Sequence, residues 1–280
     1  MPAIVVDEII KRIHDLPSLP VVVVELLSTM EEDDIDVRLL ADKITLDQSL
    51  TAKTLCLANS SFYGMQAQVT SIQQAIAVLG FHSIRTLITA CSVTVSIAPL
   101  AANRFDFQGF WRHSVASAVA AKALAKRLGQ NAETAFTAGL LHDLGTLVLA
   151  TRYPDQYEET IAYRKARDCD NAEAERAVFG FDHALVGSAL ASHWKFPAVI
   201  QCAVAEHHAL LRQDTLSLPL IIHVANILAH ALDLSGQEDE LVPPMSEEVW
   251  RTLALSDDIC LAMFKEIELA FLDMSQILVG

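Results

Sequence analysis

Ala138-Gly139-Leu140-Leu141-His142-Asp143-Leu144-Gly145 sets a histidine and an aspartate side by side inside an apolar run. Helix punctuation surrounds this stretch. Upstream, Asp106 is placed to open a long helix that runs through Leu128 and closes at Gly129, and Asn131 opens the next, which carries His142-Asp143. A helical turn separates adjacent side chains by about 100°, so His142 and Asp143 reach one ion only if it sits at the seam between them. The short turn at Gly129 makes the two helices antiparallel neighbours, which brings His113, in Trp111-Arg112-His113-Ser114, within reach of His142.

Further histidines follow. His183 stands in Phe181-Asp182-His183-Ala184, and His207-His208 form a pair. All of them fall in segments that the pattern predicts as helix. Imidazole and carboxylate on separate helices can converge on a divalent cation, so His113, His142, Asp143, His183, His207 and His208 form a candidate metal set. His82, His193, His223 and His230 lie in apolar helices and are expected in the core or along a groove, and His14 is expected to be exposed.

The rest of the chain has the same helical character. Glycine numbers only 10 of 280 residues, and no run alternates with period two between turn signals. Expected caps are Asp36 before Val37–Thr45, Asp47 before Gln48–Ala58, Thr70 before Ser71–Leu79 with Gly80 at its end, Asp182 before His183–Trp194 and Ser217 before Leu218–Leu232. Pro154 and Pro197 start helices over Asp155–Arg167 and Ala198–His208. The polar, acidic segment Ser235 to Pro244 suits a linker before two C-terminal helices from about Ser246. The division expected is an N-terminal helical subdomain over residues 1–105, a histidine-bearing helical core over 106–235 and a helical extension over 236–280. Trp250, Met263, Phe264 and Phe271 in that extension suit either a dimer or packing on the core.

Composition excludes several classes. An apolar fraction of 52% with mean hydropathy +0.33 provides for a large core. A net charge of −15 argues against nucleic-acid partners and against an anionic membrane surface. The uncharged stretches Thr86–Asn103 and Thr215–Leu232 carry too many polar residues for a membrane span. Met1 to Asp15 includes Asp7 and Glu8 and lacks a long apolar core, so no signal peptide is expected. Cys56, Cys91, Cys169, Cys202 and Cys260 are odd in number and contain no C-x-x-C, which suits thiols in a reducing cytoplasm. No phosphate-binding glycine loop and no nucleophile elbow is present. Arg85, Arg104 and Arg112 are the cations near the motifs; surface salt bridging is expected of them before phosphate binding.

Over roughly Leu16 to Ala231 the chain resembles the HDOD domain, a bacterial signalling module related to HD-type phosphohydrolases. The resemblance is carried by Leu16-Pro17-Ser18-Leu19-Pro20, Leu57-Ala58-Asn59-Ser60-Ser61-Phe62-Tyr63-Gly64, Ile72-Gln73-Gln74-Ala75-Ile76 with Leu79-Gly80, Phe110-Trp111-Arg112-His113-Ser114, the His142-Asp143 stretch, Phe179-Gly180-Phe181-Asp182-His183 and His207-His208. It implies an all-α fold, with an N-terminal helical subdomain packed on an HD-like helical core and a short C-terminal helical tail. It also implies a regulatory role through protein partners of a signalling pathway.

The ligand pattern of the related HD-GYP phosphodiesterases of cyclic di-GMP maps onto His113, His142, Asp143, His183, His207 and His208. The pattern then departs. Asn226 stands where HD enzymes carry their last aspartate ligand, Thr146 stands where HD-GYP enzymes carry a lysine, and no Gly-Tyr-Pro motif is present. An amide still offers one carbonyl oxygen but no charge, which weakens the hold on a hard cation. The lost lysine would have steadied a phosphoryl oxygen. The expectation is therefore a noncatalytic regulator. The alternatives are a metal-dependent phosphohydrolase (a cyclic nucleotide or dinucleotide phosphodiesterase) with a reduced ligand set, and a pocket that binds a nucleotide without turnover. The metal implied is one of Fe, Mn, Zn, Ni or Mg.

Overall fold

The computed structural model describes residues 37–45, 51, 54–55, 69–80, 84, 105–210, 214–236 and 241–278. Among these residues the chain is helical and forms no strand. The helices are α1 (Val37–Thr45), α2 (Ile72–Leu79), α3 (Phe107–Arg127), α4 (Ala132–Leu141), α5 (Leu144–Arg152), α6 (Pro154–Arg167), α7 (Asn171–Phe179), α8 (His183–His193), α9 (Ala198–Glu206), α10 (Leu218–Ala231), α11 (Glu247–Leu253) and α12 (Asp257–Leu278). The expected caps at Asp36 and Asp47, the N-terminal motifs at 16–20 and 57–64, His14, His82, Arg85, Arg104 and the stretch 86–103 lie outside the described residues.

Capping chemistry sets most boundaries where the sequence puts them. The Asp106 carboxylate accepts from the Gly109 N–H, Asn131 from Glu133 and Thr134, Asp182 from Leu185, and Ser217 from Leu220. At α2 the cap is one residue later than expected. Ser71 accepts from the Gln74 N–H, while Gln74 reaches back to accept from the Thr70 N–H at 3.0 Å. Ser71 is thus the N-cap, and Gln74 also satisfies the N–H of Thr70, the residue before it. The sequence reading has no counterpart for α7, capped by Asp170 and ended by Gly180 in the left-handed conformation, and none for α5 as a helix separate from α4.

The spine of the molecule is α3, with 15 of its 21 residues buried. Its run of alanine and serine lets helices approach closely, and α4, α10 and α12 all pack on it. Lys122, late in α3, pairs with Glu133 at the start of α4 at 2.7 Å, while His113, early in α3, meets His142 just past the end of α4. The two helices are therefore antiparallel, as the Gly129 turn predicts. At their crossing a Cβ on Gly139 would lie 2.8 Å from the Ala118 Cα and from the Ser117 carbonyl oxygen, so only glycine fits. Helix α12 also packs on α3: Met263 and Phe271 are buried and Phe264 is partly buried, while Trp250 on α11 stays exposed.

Arg112 does not form the surface salt bridge expected of it. Its guanidinium donates to the Leu234 and Ser235 carbonyls at 3.0 Å and lies over the Phe271 ring, tying α3 to the end of α10 and to α12. No described helix is long and apolar enough to cross a membrane.

Candidate metal centre

The expectation that every candidate ligand sits within a helix is corrected here. Only His113 lies in the body of one. His142 and Asp143 occupy the break between α4 and α5, His183 is the first residue of α8, and His207 and His208 follow the last residue of α9. The 100° divergence of a continuous helix therefore does not apply to His142-Asp143. The breaks have a local cause. The His142 Nδ1–H donates to the Gly139 carbonyl and the His207 Nδ1–H to the Val204 carbonyl, each at 2.8 Å. Each ring thus caps carbonyls that a terminating helix leaves without partners.

Two glycines bring these breaks together. A Cβ on Gly145, two residues past Asp143, would overlap the His183 carbonyl oxygen and lie 2.7 Å from the Gly187 N. Gly187 in turn leaves no room beneath Val204, 2.9 Å from its own added Cβ. The start of α5 therefore rests directly on the first turn of α8, and Asp143 is pressed toward His183.

The side chains converge on the Asp143 carboxylate. Its Oδ1 lies 3.2 Å from His142 Nε2, 3.1 Å from His183 Nε2 and 3.5 Å from His207 Nε2. Its Oδ2 lies 3.4 Å from His113 Nε2. His208 Nε2 is 2.8 Å from His183 Nε2. The structure thus brings together all six residues of the candidate set, in two groups that share Asp143. One holds His113 and His142; the other holds His183, His207 and His208.

The hydrogen bonds on the outer ring nitrogens decide what this arrangement is for. His142, His183 and His207 each commit Nδ1 to an oxygen acceptor, so each turns Nε2 toward Asp143. Lone pairs directed at a carboxylate repel it unless a positive charge lies between them. The His142 Nε2 atom is buried with no hydrogen-bond partner, and so is the carbonyl Oδ1 of Asn226, which lines the same cavity. A donor set rich in imidazole, with one carboxylate and one unmatched carbonyl, fits a divalent transition-metal ion.

Electrostatics support the same reading. Burial by itself would push the Asp143 carboxyl up, but His142 and His183 outweigh it and hold the group well below the usual carboxylate range. Burial would likewise push His183 down, but Glu175 and Asp143 prevail and raise it well above an ordinary histidine. Burial lowers His207 to about 4, partly countered by its hydrogen bond with Asp143. Burial, together with His207 and His183, lowers His208. His183 therefore lies between two carboxylates that favour its charged form, a place that equally suits a cation.

Glu175 and His230 are the residues that the sequence reading missed or left in the background. Glu175, on α7, is buried, and its Oε2 accepts from both the His183 N–H at 2.7 Å and the His183 Nδ1–H at 2.6 Å. The left-handed Gly180 and the Arg176–Asp182 ion pair fold the α7–α8 corner so that Glu175 returns over His183. A glutamate eight residues before a candidate ligand, across a Phe-Gly-Phe-Asp corner, is the signal that could have found it. His230, expected only as a core or groove histidine, stacks on His113 with ring centroids 4.6 Å apart and lines the cavity. His223 holds the second group from behind, its Nδ1–H donating to the His207 carbonyl at 2.7 Å.

The cavity beside the centre has a volume of about 410 Å³, and His113, Asp143, His183, His208, Asn226 and His230 form its floor. Among the described residues, a helical frame closes around this histidine–aspartate centre. The chain belongs to the HDOD family, whose domain model matches residues 16–210. Solved structures agree with the fold. An HDOD domain protein of unknown function from Geobacter sulfurreducens is 23% identical, with TM-score 0.80, covering 96% of this chain and 97% of that one. A Shewanella amazonensis protein named "Putative phosphohydrolase" is 27% identical, with TM-score 0.69 and coverage of 92% and 97%. An uncharacterized protein of Treponema pallidum (strain Nichols) is 26% identical over 216 residues, which are 76% of this chain and 42% of that protein. The chain thus spans less than half the length of this relative.

Proposed function

We propose that this HDOD protein is a bacterial signalling regulator that holds a divalent cation at the His142-Asp143 centre and acts through a protein partner in the cytoplasm, without turning over a substrate. The observation that carries the reading is the set of buried Nε2 atoms directed at one carboxylate by hydrogen bonds on their far side. His113, His142, Asp143, His183, His207 and His208 would hold the cation, and Asn226 would offer a neutral oxygen. Support for a noncatalytic role comes from Asn226, which adds no charge, and from Thr146, which brings no cation to the cavity wall. The net charge of −15 favours a partner with a basic surface.

The test is metal analysis of protein purified without chelator or nickel, followed by a hydrolysis screen over nucleotides and cyclic dinucleotides with Mn, Mg, Fe and Ni. Stoichiometric metal lost in His142→Ala, with no turnover, is the expected result. Metal-dependent turnover abolished by His142→Ala would overturn the noncatalytic reading.

A phosphohydrolase is the second reading, favoured by the cavity that opens onto Asp143 and by the 27%-identical Shewanella neighbour. When bound, a divalent ion supplies Lewis acidity toward a phosphoryl oxygen and activates water. In that case Glu175 orients His183, and the aromatic wall of Phe110 and Tyr157 limits bulk water at the reacting group.

A further inference from the structure

Helix α12 is buried along one side only. Cys260, Met263, Ile267, Phe271 and Met274 are buried, and the helix packs on α3. Its other side also carries large apolar residues. Leu261 is 66% exposed, and Leu269 and Leu272 are each 57% exposed. One exposed leucine is ordinary on a protein surface. Three on one face of one helix form a patch that a partner can cover.

The spacing within this face is informative. Leu261, Lys265, Glu268 and Leu272 follow one another at intervals of four, three and four residues, and all four are exposed. This is the interval pattern that keeps one stripe of a helix turned toward a second helix. Leu269 flanks the stripe on one edge and the partly buried Phe264 on the other. The stripe is apolar at its ends and charged in its middle. The neighbouring Glu266 is engaged by Arg127 of α3 at 2.8 Å, so it belongs to the packed side rather than to the stripe.

The charge pattern complements itself in one orientation. In a parallel pair of copies, Lys265 would stand against Lys265 and Glu268 against Glu268, two layers of like charge. In an antiparallel pair, a two-fold axis passes between Glu266 and Ile267. Leu261 then meets Leu272 of the second copy, Lys265 meets Glu268, and Phe264 meets Leu269, each contact occurring twice.

We propose that this face of α12 joins two copies of the chain as an antiparallel helix pair. The leucines supply the apolar burial, and the Lys265–Glu268 pairs fix the orientation. The 22 residues of α12 give a contact about 33 Å long. One helix face is a small interface, so the association is reversible and depends on concentration. No residue of the stripe lines the cavity or belongs to the histidine groups, so the inference is independent of the cation.

The test is sedimentation velocity of the full chain over about 1–100 µM, at about 0.15 M salt so that the net charge of −15 on each copy is screened. The wild type should pass from monomer to dimer across this range. Leu272→Glu changes an exposed position and should leave thermal unfolding at low concentration unaltered. It should weaken the dimer by about tenfold or more, because the two-fold axis counts the change twice. Lys265→Glu and Glu268→Lys should each weaken it by about threefold to tenfold, since each creates like-charge contacts. The two together should restore it to within about twofold of wild type, an exchange that a parallel pair would not show. A monomer throughout would mean that another protein or another segment of the chain covers the stripe, and would overturn the inference. So would a dimer indifferent to Leu272→Glu, or a double exchange no better than the single ones.

Discussion

Asp143 has two unlike sides. On one, His183, His207 and His208 face it from the start of α8 and the end of α9, and a buried glutamate grips His183 by two hydrogen bonds. On the other, His113 and His142 face it from α3 and the end of α4, backed by Asn226 and His230 from α10. The first side has a second carboxylate close behind it; the second has a neutral amide whose oxygen has no donor. The two sides therefore differ in what backs them: a buried carboxylate, Glu175, on one and a neutral amide, Asn226, on the other.

The strongest way to break the contrast is to remove the grip. Glu175→Gln keeps the shape of the side chain and one acceptor oxygen but no longer carries charge against the His183 ring. Cation affinity should fall by about 10–100-fold, measured by competition with a chromophoric chelator. Thermal unfolding of the metal-free variant checks that α7 still closes over α8. An unchanged affinity would mean that the two sides are equivalent and that Glu175 serves packing alone.

This asymmetry also explains how much of the molecule was legible beforehand. Capping residues at Asp106, Asn131, Asp182 and Ser217 are local signals, and they placed their helix starts within a residue. The antiparallel pairing of α3 and α4 followed from Gly129 because a short turn leaves no other choice. The six candidate ligands were readable as residue types. Their placement in helix breaks was not, because the breaks arise from ring-to-carbonyl bonds at Gly139 and Val204 that no propensity encodes. Glu175 was hidden for a related reason. An acidic residue in the polar sequence Asn171-Ala172-Glu173-Ala174-Glu175-Arg176 looks like a solvated helix face until the Gly180 corner folds it inward. The close contact of Gly145 with Gly187 is likewise a tertiary fact, though both glycines are visible in the sequence.

A smaller effect is expected on the Asn226 side. Asn226→Asp adds a negative charge in a buried setting where the Asn226 oxygen lacks a donor among the described residues. Affinity should rise by about tenfold, more for Mn and Mg than for Zn, since hard cations gain most from an added carboxylate. In metal-free protein the same change should lower stability, because it adds a buried charge with no counter-ion. If the variant binds no better, the amide is not part of the coordination sphere.

The smallest effect is a stability slope with pH in the metal-free protein, and it separates the sides by sign. Burial brings His207 down to about 4 and also lowers His208. As pH falls from about 6.5, the ordinary histidine value, toward 4, the unfolded chain takes up protons that these two native rings refuse. Unfolding then binds protons, so stability declines across that window. His183 adds no slope there. Its folded value is raised, so its contribution is complete below the ordinary histidine value and is lost only as pH rises through the higher folded one. Asp143, held low, loses its contribution only below the ordinary carboxylate range. Thermal unfolding of metal-free protein should therefore show a falling midpoint between pH 6.5 and 4.5, and His208→Gln should flatten part of that fall. With cation bound the fall should steepen, because the same protons then compete with the ion for Nε2. A flat midpoint across the window would show that His207 and His208 protonate freely in the native state, and that the second group is open to water rather than closed around Asp143.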